Sequence, residues 1–145
     1  MAQIDFNDFA RKTLERADRL IRIVGIKTFS AVIRDTPVGD PDLWQSTSPL
    51  KGYVGGRLRG NWRCSLSMPD TSSDQSTDRN AAYPRVESTC ALADRGSVLW
   101  LSNSLPYAYR IEYDGWSSQA PVGMVRRNTT RFQNIISREL RAMKG

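Results

Sequence analysis

Apolar residues recur in steps of three and four from Phe6 through Phe9, Ala10, Leu14, Ala17, Leu20, Ile21, Val24, Val32 and Ile33. That period predicts one amphipathic helix over residues 5 to 35, with Asp5 as its N-cap and Arg11, Arg16, Arg19 and Arg22 alternating with Glu15 and Asp18 on the polar side. At roughly 1.5 Å per residue such a helix is about 45 Å long, which is long for so short a chain. Gly25 is the point where it should weaken or bend. Pro37 should end it, because the residue before a proline is pushed out of the helical region.

The pattern then changes. Residues 36 to 56 hold Pro37, Pro41, Pro49 and four glycines, and read as a loop. Leu43, Trp44, Leu50, Tyr53 and Val54 within it argue for a loop that packs on something, another subunit included. From Leu58 to Met68 apolar residues fall mostly on alternate positions, predicting a half-buried strand. Residues 69 to 84 are almost all polar turn formers and predict an exposed, flexible excursion. Pro84 then opens a short helix through Asp94. Residues 96 to 103, nearly continuous in apolar side chains at Val98, Leu99, Trp100 and Leu101, predict a central strand covered on both faces. A short helix follows over 105 to 113, opened by Pro106, and a turn over 114 to 119. A last amphipathic helix starts at Pro121 and lays Met124, Val125, Phe132, Ile135, Ile136, Leu140 and Met143 along one side. The expected fold is α+β: a long N-terminal helix and a C-terminal helix packed on a small, mainly antiparallel β-sheet with long loops. No repeat is visible, and residues 1 to 145 read as a single domain.

Composition narrows the chemistry. The chain has 145 residues, 21 Lys+Arg, 15 Asp+Glu and no histidine, for a formal charge of +6. Without histidine, Ser-His-Asp and Cys-His machinery and His-containing zinc sites cannot be built within the chain. Its two cysteines, Cys64 and Cys90, are too few for a four-thiolate site and point to a reducing compartment. The N-terminus shows no signal-peptide pattern and no stretch is long and apolar enough to span a membrane, so no membrane association is expected.

Charge is unevenly placed: residues 1 to 35 sum to +2, residues 36 to 120 to −1 and residues 121 to 145 to +5. Arg126, Arg127, Arg131, Arg138, Arg141 and Lys144 could therefore meet nucleic-acid phosphates. A solvated helix face or a protein interface accounts for the same pattern, and no aromatics interleave with these cations as a base-stacking surface requires. The acidic pairs Asp40/Asp42 and Glu112/Asp114 sit beside proline and glycine turns, where Asp is common anyway, and phosphate-binding glycine motifs are absent. Trp44 and Trp116 fall in loops, where an aromatic often marks a contact surface.

Two segments together resemble a known family. TPVGD with GGRLRGNW, residues 36–40 and 55–62, resembles the phrase TPVDTGRLRGSW with an insertion between Asp40 and Gly56. LWLSNSLPYAYRIEYDGWSSQAPVGMVR, residues 99–126, is similar over its whole length to yltNnlPYArrlEyGwSkqAPaGmvr. Both phrases belong to the tail-completion or tail-terminator proteins, minor tail components at the head-to-tail neck of tailed bacteriophages. The resemblance carries over Thr36, Pro37, Gly56, Arg57, Leu58, Arg59, Trp62, Asn103, Pro106, Tyr107, Glu112, Tyr113, Gly115, Trp116, Gln119 and Pro121 as motif or interface positions; Trp44 in the inserted loop is added as an interface candidate.

Each has a physical reading. Gly56 and Gly115 permit turns that other residues resist. Arg57 and Arg59 could pair with carboxylates such as Glu112 or with a neighbouring subunit, Asn103 could cap the turn before Pro106, and Gln119-Ala120-Pro121 would start the last helix. The resemblance implies a virion protein assembled in the bacterial host cytoplasm, without catalysis or cofactor, forming a ring of six copies. The ring would close the tail tube and join it to the head connector or stopper, touching channel DNA without reading its sequence. The long first helix and the two long loops would be its inter-subunit elements.

Overall fold

The computed structural model describes residues 3–43 and 52–144. Trp44 and most of the inserted loop lie outside the described residues. The first helix, α1, spans Phe6–Asp35. The Asp5 carboxylate caps it by accepting from the backbone N–H of Asn7 at 2.9 Å and Asp8 at 3.1 Å. Thr36 ends it in extended geometry just before Pro37. Its far half carries the buried residues Val24, Ala31, Val32 and Ile33. The helix continues through Gly25 uninterrupted. A Cβ there would lie 2.9 Å from Leu99 Cδ1 and 3.1 Å from Cys90 Sγ, so the glycine serves close packing where a weak point was expected.

The sequence predicted a strand from Leu58; a one-turn helix, α2 (Arg57–Gly60), occupies its first residues and the strand β1 is confined to Arg63–Leu66. Leu58 and Trp62 are both buried four residues apart, a spacing that suits a helical turn as well as alternation. Gly56 enters this turn at φ 122°, where a Cβ would sit 2.4 Å from the Thr77 carbonyl oxygen, so glycine is required twice over.

The polar excursion is mostly exposed yet tied down. Asp70, Asp74 and Asp78 each accept the backbone N–H two residues on, at 2.8, 2.9 and 2.9 Å, forming three successive Asx turns. Buried Asn61 accepts the Asp74 N–H at 2.8 Å, and Arg63 holds the Asp74 carboxylate at 2.8 Å. That contact and the Ser76 N–H hold the Asp74 carboxyl below its ordinary range.

Helix α3 spans Ala82–Cys90, so Pro84 lies inside its first turn and its end comes before Asp94. Strand β2 (Leu99–Ser102) pairs antiparallel with β1, Cys64 opposite Leu101 and Leu66 opposite Leu99. Among the described residues these two strands are the whole sheet, so β2 is an edge and not a covered central strand. Leu99 and Leu101 pack on the core, whereas Trp100 points to the outer face, 40% exposed.

Helix α4 spans Ala108–Tyr113. The expected single C-terminal helix is two, α5 (Val125–Thr129) and α6 (Phe132–Met143), and neither begins at Gln119-Ala120-Pro121. At the break the Thr129 and Thr130 hydroxyls donate back to the Arg126 and Arg127 carbonyls, both at 2.8 Å, a local bond that competes with the helical ladder. Ile33, Leu58, Trp62, Val86, Cys90, Leu105 and Met124 form the core where α1, α2, α3 and the segment before α5 meet. The expected α+β arrangement, long first helix, C-terminal helix and small antiparallel sheet, is the one observed.

Candidate functional site

The two motif segments, far apart in sequence, close on one cleft of about 280 Å³ lined by Pro37, Arg57, Leu58, Tyr107, Trp116 and Gln119, among others. On one side the buried Thr36 hydroxyl donates to the Val32 carbonyl at 2.7 Å and accepts from Trp62 Nε1 at 2.8 Å. Arg59 clamps the same corner, its Nε on the Thr36 carbonyl at 2.9 Å and its Nη2 on the Arg34 carbonyl at 3.0 Å. Arg57 Nε donates to the Asp74 carbonyl at 3.0 Å. Both arginines thus bind backbone carbonyls within the chain, not Glu112.

Across the cleft, the Gln119 amide engages both polar groups of the Val38 backbone, accepting from its N–H at 3.3 Å and donating to its carbonyl at 3.0 Å. The side chain thereby imitates one rung of a strand pair and fixes the 36–40 segment to the 114–121 segment. Asn103 behaves as expected: its Oδ1 accepts the Leu105 N–H at 3.2 Å, capping the turn before Pro106, while its Nδ2 donates to the Leu58 carbonyl at 2.8 Å. Burial raises the Tyr107 hydroxyl's pKa above its ordinary value.

Glu112 is the most heavily bonded motif residue. Nearly buried, its carboxylate accepts the N–H groups of Met124 at 2.6 Å, Val125 at 2.9 Å and Arg126 at 2.9 Å, three donors left free by the start of α5. Arg126 also reaches it through Nε at 3.4 Å and donates from Nη2 to the Glu112 carbonyl. Gly123, at φ 82°, makes room: a Cβ there would lie 2.6 Å from Glu112 Oε1. The carboxylate is consumed as a cap, which leaves Glu112/Asp114 no free pair for acid–base work. Asp40 is likewise engaged, accepting the Asp42 N–H at 3.0 Å at the start of the 3₁₀ turn Pro41–Leu43.

An exposed aromatic surface runs from Trp116 at the cleft onto the other side of α4. Arg110 stacks over the Trp116 ring at 4.3 Å and Arg126 over the Tyr113 ring at 5.0 Å, and the Tyr109 and Tyr113 rings lie 4.8 Å apart. Trp116 is 62% exposed, Gly115 turns the chain beside it at φ 65°, and Pro106 and Pro121 are also exposed. This surface offers contact area rather than a reaction centre.

The six cations of the C-terminal segment, candidates for phosphate, a protein interface or a solvated face, divide in two. Arg126 pairs with Glu112 at 3.4 Å, and Arg127 and Arg131 converge on Asp35 at 3.8 and 3.3 Å. Arg138, Arg141 and Lys144 on α6 have no acidic partner among the described residues. Sequence reasoning missed Asp35 and Asn128, whose Nδ2 joins Asp35 at 3.1 Å and the Met124 carbonyl at 2.8 Å. Asn128 occupies a fully buried position, on the stripe of Met124, Val125 and Phe132, and a polar residue at such a position is itself a signal.

Cys64 and Cys90, distant in sequence, meet across β1 and α3. The proximity of the two thiols lowers the pKa of Cys64 and, with burial, raises that of Cys90. No described helix is long and apolar enough to cross a membrane. Comparison with known protein families, curated proteins and solved structures finds no match.

Proposed function

We propose that the chain is a structural virion protein of a tailed bacteriophage, forming a ring at the head-to-tail neck that completes or terminates the tail and joins it to the head connector. The observation that carries this reading is that both segments bearing the family phrases meet at one cleft. Their residues are spent on bonding loops together beside the exposed Trp116, while Tyr109 and Tyr113 are exposed on the other side of α4. Loops fixed in this way suit a subunit that must present one surface repeatedly to its neighbours. Glu112 and Asp40, the carboxylates a hydrolase would need, are occupied by backbone N–H groups.

Light scattering and negative-stain microscopy of the purified chain should show discrete rings, and labelled particles should carry the protein at the neck. A chain that stays monomeric at all accessible concentrations and never labels the neck overturns the proposal. Arg138, Arg141 and Lys144, without an acidic partner among the described residues, favour a second reading, direct duplex-DNA binding through α6. Affinity would then fall with salt by a slope of about 0.9 per phosphate contacted, and Gln at these three positions would flatten that slope. Binding that ignores salt, or ignores these substitutions, removes this reading.

A further inference from the structure

Every residue from Gln3 to Arg16 is exposed except half-buried Asp8, so the first turns of α1 stand clear of the body as an arm. The arm is amphipathic: Ile4 (70% exposed), Phe6 (75%), Phe9 (67%) and Leu14 leave a strip of apolar surface in water. Its polar side is satisfied internally, Arg11 bridging Asp8 and Glu15, and Lys12 also holding Asp8. Farther along α1 runs an open apolar furrow. One stretch, about 500 Å³, lies between Ala17, Leu20, Leu140 and Met143; the next, about 350 Å³, shares Leu20 and reaches Val24, Leu99, Phe132 and Ile136. Phe132 and Leu140 are 38% and 43% exposed there, unusually open for the apolar side of a helix.

We infer that the arm of one copy of this chain lies in the furrow of a second copy. The inference rests on the ring reading and names the contact that would build the ring. Three features select a second copy as the occupant. Arm and furrow wall belong to one continuous helix, so the arm cannot fold back into its own furrow. Their lengths agree: Ile4 to Leu14 reaches about 18 Å, two extended residues and then helix, and Phe132 to Met143 spans about 17 Å of helix. Their charges are complementary: Gln3 to Ala10 carries Asp5 and Asp8 and no cation, while Arg16 and Lys144 line the first stretch of the furrow. Each copy thus gives an arm and receives one, a head-to-tail contact between different surfaces that closes into a ring when the rotation permits.

The test pairs assembly with proximity. The double variant Phe6→Asp/Phe9→Asp should keep the circular dichroism and melting profile of the parent, since both side chains are exposed, and weaken self-association about tenfold or more, as expected for two lost aromatic anchors. A mixture of Phe9→Cys and Phe132→Cys chains, oxidised with copper phenanthroline, should give a covalent dimer that neither chain gives with the parent. Rings that assemble as well with Phe6→Asp/Phe9→Asp overturn the arm contact and leave the ring reading standing. Rings that form normally with that variant but no longer join tail tubes assign the arm to the tube protein and also overturn it. Phe9→Cys chains that cross-link only to one another replace it with an arm-to-arm contact. A parent that stays monomeric sinks the ring reading itself, and this inference with it.

Discussion

Removing the Glu112 carboxylate should unfasten the C-terminal helices from the core. It accepts from Met124, Val125 and Arg126 N–H groups and from Arg126 Nε, in a site almost closed to water. A hydrogen bond to a charged group contributes about 1.5–3 kcal/mol, and a buried donor left without a partner costs about 1–3 kcal/mol. In Glu112→Gln one oxygen becomes an NH₂ that faces N–H donors, so either rotamer loses two of the four bonds. The rotamer that keeps the buried Met124 bond sacrifices the more open Arg126 pair, and the net cost is about 2 kcal/mol. Glu112→Ala orphans every donor and leaves a void, for about 4 kcal/mol. Arg126 is half exposed, so Arg126→Gln should cost about 1 kcal/mol or less. For a chain of this size, 2 kcal/mol corresponds to a fall in Tm of about 4–8 °C. Urea unfolding followed by tryptophan fluorescence gives the order Glu112→Ala, Glu112→Gln, Arg126→Gln, and hydrogen exchange should show the Met124–Arg126 amides losing protection in the first two. If Arg126→Gln proves as costly as Glu112→Ala, or those amides stay protected, the carboxylate is not the cap described.

Thr36→Val leaves Trp62 Nε1 buried without its acceptor and should cost about 1–3 kcal/mol in urea unfolding; a neutral result would show that the indole finds another partner. Asp74 is held below its ordinary pKa first by Arg63, so its contribution is present above about pH 3.9 and fades as pH falls through the lower folded value. Asp74→Asn should therefore flatten the acid limb of the stability curve, and an unchanged limb counts against the Arg63 contact. Cys64, partly exposed and lowered by the Cys90 thiol, should alkylate well before the fully buried Cys90 under native conditions, as peptide mass mapping would show; equal labelling contradicts the geometry.

The long first helix was legible because its stripe is unbroken and both ends carry local signals, Asp5 and Pro37. Its neighbour is misread at Leu58 and Trp62 because four-residue spacing fits either period, and the close approach of the Thr77 carbonyl that requires glycine at position 56 is a tertiary contact. The break at Thr129 and Thr130 carries neither proline nor glycine, and its cause is a pair of hydroxyl bonds that the same residues could equally direct to solvent. Among site residues, Asn103 was readable because its cap is two residues away. Arg59 reads from sequence as a partner for a carboxylate or for a neighbouring subunit, and it binds carbonyls 23 and 25 residues distant. Opposite charges in a sequence suggest pairs, but a guanidinium satisfies backbone oxygens just as well, and only the fold decides which are near.

Because α1 is rigid and its packing begins only near Ala17, it also acts as a ruler. About 18 residues separate Phe6 from the buried Val24, a lever of roughly 27 Å, so a tilt of about 5° at the core carries the tip through about 2.4 Å. The phase of the tip is fixed as strictly as its reach. Excising two residues ahead of Val24 would turn Phe6 and Phe9 by about 200° to the opposite side, whereas excising seven would shorten the lever by about 10 Å and leave their direction almost unchanged.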